Sequence, residues 1–286
     1  MPRLKIVLGL LCVVLCLAFT LSAQVVVAQV SDMHLGLKDK PEAANNLRRV
    51  VDMINQRHPD AVIVSGDIGE TPAARREAQA ILSSLKAPIY CVPGNHDDTA
   101  NDVDTYTADF GENYYEFKIK GLRFFAIDSQ LLGNFDVFES REVLPLSAKG
   151  QAQSEKMLAW LGQQADDDAR ELAARQPRGG GAVPARPIFV VQHVPISRDG
   201  NFPNDPKPYW TIQEPYRTKE LELLHRLGVK HVFVGHWHSG RVYEADGITY
   251  HVAPSTTRSL FGDPLGFAMH TITPDGNVTT EFVYLQ

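Results

Sequence analysis

One feature constrains this chain more than any other: a local grammar in which a short, β-branched apolar run is broken at once by a polar loop. Val25 to Val30 runs into Ser31-Asp32-Met33-His34, and Ala61 to Val64 into Ser65-Gly66-Asp67. Ile89 to Val92 gives way to Pro93-Gly94-Asn95-His96-Asp97. Ile188 to Val191 leads to Gln192-His193-Val194-Pro195, and His231 to Val234 to Gly235-His236-Trp237-His238. Continuous apolar runs of this length are strands buried on both faces. Helical periodicity fills the early gaps: Leu47, Val50, Val51 and Ile54 follow Pro41, and Ala78, Ile81, Leu82 and Leu85 repeat the spacing. Strand, helix, strand implies right-handed crossovers and a largely parallel sheet. Ligands of such sheets bind beyond the carboxyl ends of the strands, which is where each of these polar loops begins. One shared site is expected.

Farther along, residues 148–175 read as a helix whose Asp166-Asp167-Asp168 cluster marks a solvated side or a break. Gln176 to Pro187, with its Gly179-Gly180-Gly181 run, reads as a surface loop, and Thr218 to Leu227 as a short helix closed by Gly228. After Gly240 the pattern becomes short strands with turns at Asp246-Gly247 and Asp275-Gly276, which reads as an antiparallel meander. At the N-terminus, Arg3 and Lys5 precede an apolar run from Ile6 to Phe19 and a small-residue exit at Ala23. That is the layout of an export signal over residues 1–23, leaving 24–286 as the folded domain in a periplasmic or extracellular setting. The alternative is an uncleaved anchor, which makes this segment the one contact with a membrane.

Composition adds exclusions. With 286 residues, 44% hydrophobic and 22% charged, the chain is globular and long enough to bury a sizeable core. A formal net charge of -6 argues against nucleic acid as a partner. Cys12 and Cys16 fall in the N-terminal segment, so Cys91 alone remains and forms no internal disulfide.

The chemistry lies in the loops. Of ten histidines, His34, His96, His193, His236 and His238 all fall in the strand-end loops, beside Asp32, Asp67 and Asn95. Imidazole, carboxylate and amide oxygen together suit Mn, Zn or Fe. His58, His225, His231, His251 and His270 have no such neighbours in sequence and read as ordinary surface or core residues.

Asp32-Met33-His34, Gly66-Asp67, Gly94-Asn95-His96-Asp97, His193 and Gly235-His236-Trp237-His238, in that order, resemble the motif series of the calcineurin-like metallophosphoesterases. The likeness runs from about residue 25 to 285. It implies an α/β sandwich of two facing mixed β-sheets flanked by helices, and a site for two divalent metal ions. Carried over by motif, Asp32, His34 and His238 match the ligands of a first ion, and Asn95, His193 and His236 those of a second. Asp67 matches the bridging carboxylate, and His96 a histidine that faces the substrate as a general acid. Asp97 is a candidate for orienting His96 or another site histidine. Glu70 stands where a purple acid phosphatase has its ligating tyrosine, so a ferric-tyrosinate centre is not expected. The segment from Tyr209 to Leu224, the Gly235-His236-Trp237-His238 motif and Gly262 to Gly266 are similar to a smaller branch that contains a Ser/Thr protein phosphatase.

The implied activity is metal-dependent hydrolysis of phosphomonoesters, phosphoserine and phosphothreonine among them. The alternatives are a phosphodiesterase acting on cyclic nucleotides or phospholipid headgroups, and a scaffold that binds metal without catalysis. Arg198, Tyr209, Trp237 and Arg258 are candidates for contacting the substrate, with Trp210 and Arg241 nearby. Oligomeric state has no signature in the sequence.

Overall fold

The computed structural model describes residues 24–98, 104–176, 185–203 and 205–286. The expected export signal, residues 1–23, therefore lies outside the described residues, as does most of the glycine-rich loop. No described helix is long and apolar enough to cross a membrane.

The first strand shows why two sheets form. In β1 (Val25–Val30), Val25 and Val27 are buried in one apolar cluster, and Ala28 and Val30 in another on the opposite face. A strand apolar on both sides needs a cover on both sides, and here one is a second sheet and the other is helical. The first sheet continues with β2 (Ala61–Ser65) and β3 (Ile89–Val92), both parallel to β1. The second is built from β4 (Tyr115–Ile119), β5 (Leu122–Ala126), β6 (Ile188–Val191), β7 (His231–Val234), β8 (Arg241–Ala245) and β9 (Ile248–Val252). Its order is β4-β5-β6-β7-β9-β8, with β5, β6, β7 and β9 parallel and the two edges antiparallel. The chain then returns to the first sheet with β10 (Gly266–Ile272) and β11 (Val278–Tyr284), giving β11-β10-β1-β2-β3.

Helices α1 (Ala43–Arg57) and α2 (Pro72–Leu82) cover the outer face of the first sheet, burying Leu47, Val50, Val51, Ile54, Ala78 and Ile81. Pro72 occupies the first turn of α2, and the Thr71 hydroxyl caps it by accepting from the Ala74 N–H. The short α3 (Thr105–Phe110) follows β3. Helices α4 (Ala148–Arg175) and α5 (Tyr216–Arg226) cover the second sheet through Met157, Leu161 and Leu224. Between the sheets lie Val27, Ile63, Phe124, Phe189, Phe233 and Ile272. Each of those phenylalanines is worth about 1.5–3 kcal/mol of burial.

Two expectations change. The antiparallel meander after Gly240 is two separate hairpins: β8–β9 joins the second sheet and β10–β11 the first. A hairpin has the same local signature whichever sheet receives it. The parallel strands, read as one sheet by crossover logic alone, are divided between two, as the family resemblance implies. The triple aspartate does not break α4: Asp166, Asp167 and Asp168 pair with Arg226, Arg170 and Arg123. A hairpin absent from the sequence reading, β4–β5, turns at Lys120 and Gly121, whose φ values are 47° and 87°.

Candidate metal centre

The polar loops after β1, β2, β3, β6 and β7 meet at one end of the sandwich, so the site is assembled from both sheets. The Asp32 N–H donates to the Gly66 carbonyl at 3.0 Å and the His34 N–H to the Asp67 carbonyl at 2.9 Å, which locks the first two loops together. Asp32, His34, Asp67, His236 and His238 all have φ between 45° and 69°. Left-handed backbone at five non-glycine residues is costly, and such strain concentrates where surrounding structure holds a side chain to a task. Glycine is obligatory beside them. A Cβ on Gly94 would sit 2.1 Å from Asp67 Oδ1, and one on Gly235 would sit 2.0 Å from Ser31 Oγ.

Hydrogen bonds fix the tautomer of each candidate histidine. His238 Nδ1 lies 2.8 Å from the Arg258 carbonyl, and His193 Nδ1 lies 2.7 Å from the Ser65 carbonyl. His236 Nε2 lies 2.8 Å from the Tyr209 carbonyl, and His34 Nδ1 lies 2.8 Å from Glu70 Oε1. Carbonyl and carboxylate oxygens only accept, so each of these nitrogens carries hydrogen. The other nitrogen of each ring is free to present a lone pair to the interior. His34 Nε2 and His238 Nε2 then face one another at 3.1 Å, an arrangement that a cation between them makes favourable.

The candidate ligands fall into two groups. One atom each from Asp32, His34, Asp67 and His238 falls within a 4.8 Å group, and all four residues are buried. The buried atoms Asn95 Oδ1, His193 Nε2 and His236 Nδ1 have no hydrogen-bond partner among the described residues. His193 Nε2 is 3.2 Å from Asp67 Oδ2, an ion-pair distance without hydrogen-bond alignment. Orphaned buried acceptors are expensive. These belong to the three residues matched to a second ion, so the donor set fits a pair of divalent cations. Asp67 stands between the sets, with Oδ2 3.5 Å from His34 Nε2 and Oδ1 accepting the His96 N–H at 2.9 Å.

The electrostatics set burial against the two carboxylates. Burial opposes the charge on Asp32, but its contact with His238 wins and holds the carboxyl down to about 2. Burial also opposes charge on His193 and His96, yet Asp67 overcomes it in both. Both rings are pushed up to about 9, His96 with further help from Glu70. His236 goes the other way, to about 3, through burial and the charge of His193.

Two residues exchange roles relative to the sequence reading. Asp97 makes no hydrogen bond to a site histidine among the described residues. It accepts from the backbone N–H groups of Ile68, Gly69 and Gly94, all at 3.0 Å, and so ties the Asp67 loop to the Asn95 loop. The histidines are oriented instead by Glu70, whose two oxygens take His34 Nδ1 at 2.8 Å and His96 Nδ1 at 2.9 Å. The signal was its place three residues beyond Asp67, where it was read only as a missing tyrosine.

The candidate substrate residues scatter. Trp237 has no exposed surface, and its indole N–H donates to the Trp210 carbonyl at 2.8 Å, so no face is open for stacking on a substrate. Arg198 spends its guanidinium on the carbonyls of Asp205 and Lys207, at 2.6 and 3.4 Å, and lies over Phe202. Arg241 pairs with Asp199 at 3.4 Å. Tyr209 reaches Asn95, its hydroxyl accepting from the amide at 3.1 Å. Arg258 is exposed, its carbonyl holds His238, and its charge acts on Tyr209.

A sandwich of two mixed sheets that closes a buried two-cation donor set over its strand ends is the architecture of a metallophosphoesterase. The chain belongs to the calcineurin-like phosphoesterase family, whose profile matches residues 25–240. It is 23% identical over 264 residues to the serine/threonine-protein phosphatase CPPED1 of Danio rerio, covering 86% of this chain and 76% of that one. It is equally 23% identical, over 260 residues, to a probable cyclic nucleotide phosphodiesterase of Fibrobacter succinogenes, covering 87% of this chain and 86% of the other. Among solved structures, it is similar in fold to a dimetal phosphatase from Danio rerio, with a TM-score of 0.55 and 13% identity over 90% of this chain and 98% of that one.

Proposed function

We propose that this protein is a dinuclear metal-dependent phosphomonoesterase, with phosphoserine and phosphothreonine among its substrates, and that it works outside the cytoplasm. The observation that carries the reading is the gathering of Asp32, His34 and His238 with the unpartnered Asn95 Oδ1, His193 Nε2 and His236 Nδ1 around the Asp67 carboxylate. Asp32, His34, Asp67 and His238 would hold one ion, and Asn95, His193 and His236 with Asp67 the other. The mixed histidine, carboxylate and amide set suits Mn, Zn or Fe. When bound, the ion pair supplies Lewis-acid charge to the phosphate oxygens and acidifies water for attack on phosphorus.

The chain's own residues supply the rest. His96 is the one site histidine with substantial exposure, its side chain 34% accessible, so it can meet the ester. Glu70 accepts from its Nδ1 at 2.9 Å and favours its charged form, so the ring can carry a proton. It passes that proton to the departing oxygen as general acid, a role worth typically 10²–10⁴ in rate. Glu70 holds this ring at Nδ1, and Asp67 holds its backbone N–H at 2.9 Å. Asp97 and Gly94 hold the two loops so that the ester meets His96 and the donor set together.

A phosphodiesterase reading is favoured by the likeness to the Fibrobacter protein. Chelated protein reloaded separately with Mn, Zn and Fe, and assayed on p-nitrophenyl phosphate and bis-p-nitrophenyl phosphate, separates the two. Faster monoester turnover is expected. Dominant diester turnover moves cyclic nucleotides and phospholipid headgroups to the front, and no turnover with stoichiometric metal contradicts both.

A further inference from the structure

The two candidate cation subsites are supported differently. In the first, separate groups hold the two histidines: Glu70 holds His34 and the Arg258 carbonyl holds His238. In the second, one residue serves two ligands. The Tyr209 hydroxyl accepts from Asn95 Nδ2 at 3.1 Å, and the Tyr209 carbonyl accepts from His236 Nε2 at 2.8 Å. The Tyr209 ring also lies against that of His236, with centroids 4.5 Å apart. Among the described residues, Tyr209 makes no hydrogen bond to Asp32, His34 or His238.

The hydroxyl anchors the Asn95 side chain by its Nδ2 end. An amide has an accepting oxygen and a donating nitrogen of nearly equal shape. With Nδ2 committed to Tyr209, Oδ1 is the end turned into the buried interior, where it has no hydrogen-bond partner. Without that bond, the amide loses the restraint that holds Oδ1 in place, and a cation must order it on binding. Tyr209 is itself anchored. It sits in a short 3-10 turn, Pro208–Trp210, whose Trp210 carbonyl takes the indole N–H of Trp237. Phe138 stands edge-on to the Tyr209 ring at 5.0 Å. The tryptophan between His236 and His238 thus serves the centre from behind, by fixing the turn that fixes Asn95 and His236.

We propose that Tyr209 is a positioning residue for the second cation subsite, setting the affinity of Asn95, His193 and His236 for their ion while leaving the first subsite unchanged. The proposal rests on the two-ion reading above. The test is Mn(II) binding to the chelated full chain, followed by equilibrium dialysis and by Mn(II) electron paramagnetic resonance. The wild type is compared with Tyr209→Phe, which removes only the hydroxyl. Wild-type protein is expected to take up two ions and to give the signal of an exchange-coupled pair. Tyr209→Phe is expected to bind its first ion as the wild type does and its second about 10- to 100-fold more weakly. At matched Mn(II) it then gives a single-ion signal. Thermal melts of both proteins in chelator serve as the folding control. Unchanged affinity for both ions overturns the proposal. Equal weakening of both ions does so too, because it reports a general loss of structure. Wild-type protein that takes up fewer than two ions overturns the two-ion reading and this proposal with it.

Discussion

Two histidine clusters meet at β7, which carries His231 and leads into His236 and His238, and they are built on opposite principles. At the strand ends, His34, His193, His236 and His238 each give one N–H to a fixed oxygen and turn the other nitrogen inward. Between the sheets, His231, His251 and His270 spend their nitrogens on one another and on neighbours. Gln29 anchors that chain. Its amide hydrogens go to Ser65 Oγ and the Val234 carbonyl, both at 2.9 Å, so its oxygen must accept from His270 Nε2. His270 Nδ1 then takes the Thr280 hydroxyl proton at 2.9 Å, and the Thr280 oxygen takes His251 Nδ1–H at 2.7 Å. His251 Nε2 receives His231 Nδ1–H at 3.0 Å. The direction of every bond follows from a single amide, and among the described residues only His231 Nε2 of the three rings is left over. Histidine density does not make a metal centre; lone pairs left over after the surrounding bonds are counted do.

The comparison breaks most visibly at Asp67. Asp67→Ala removes the carboxylate shared by both donor sets, and turnover should fall to the chelated background, with metal analysis reading fewer than two ions per chain. His96→Ala comes next. Turnover should drop by about 10²–10⁴-fold while both ions are retained, because His96 is outside both donor sets. Unchanged turnover removes the general-acid role and revives a scaffold function. Glu70→Gln should cost about 10- to 100-fold, since it loosens His34 and His96 together. Its effect should appear both in first-ion affinity and in kcat.

The inter-sheet cluster should respond in stability and not in metal content. Burial, with the charge of neighbouring histidines, holds His251 well below its usual range, and holds His270 down to about 3. Both rings are neutral in the folded protein, whereas in the unfolded chain they take up protons below about 6.5. The unfolded state therefore binds more protons there, and stability falls as pH drops from about 6.5 towards 3. The fall is up to about 1.4 kcal/mol per pH unit for each ring. His231 is also lowered by burial, partly offset by Glu244, and adds in the same direction. The difference in urea midpoint between chelated wild-type protein and His270→Phe should shrink from pH 7 to 5, and a pH-independent difference contradicts this. The smallest effect is His270→Phe, which leaves Gln29 Oε1 without its donor and should cost about 1–3 kcal/mol with metal content unchanged.

The strand-end loops were legible because each candidate ligand sits in a short motif whose residue types have few other uses together. Asp32-Met33-His34 and Gly235-His236-Trp237-His238 declare themselves by spacing. The orienting contacts were not legible, since they join residues far apart in sequence: Glu70 with His34 and His96, Tyr209 with Asn95 and His236, Gln29 with His270. Asp97 was read through its neighbour in the chain, whereas its carboxylate turns back onto three backbone N–H groups. Trp237 invited stacking because it lies between two candidate ligands, yet alternation of side chains along that loop sends it into the core. Sheet membership after Gly240 failed for a similar reason. A hairpin specifies its own pairing, and only the long loop from Ala253 to Leu265 decides which sheet it joins.

The most direct test of the contrast between the clusters is a metal count by plasma mass spectrometry on dialysed wild-type protein, His193→Ala and His270→Phe. Two divalent ions per chain are expected in the wild type and in His270→Phe, and fewer than two in His193→Ala. Two ions retained in His193→Ala, or ions lost from a folded His270→Phe, would contradict the division between the clusters.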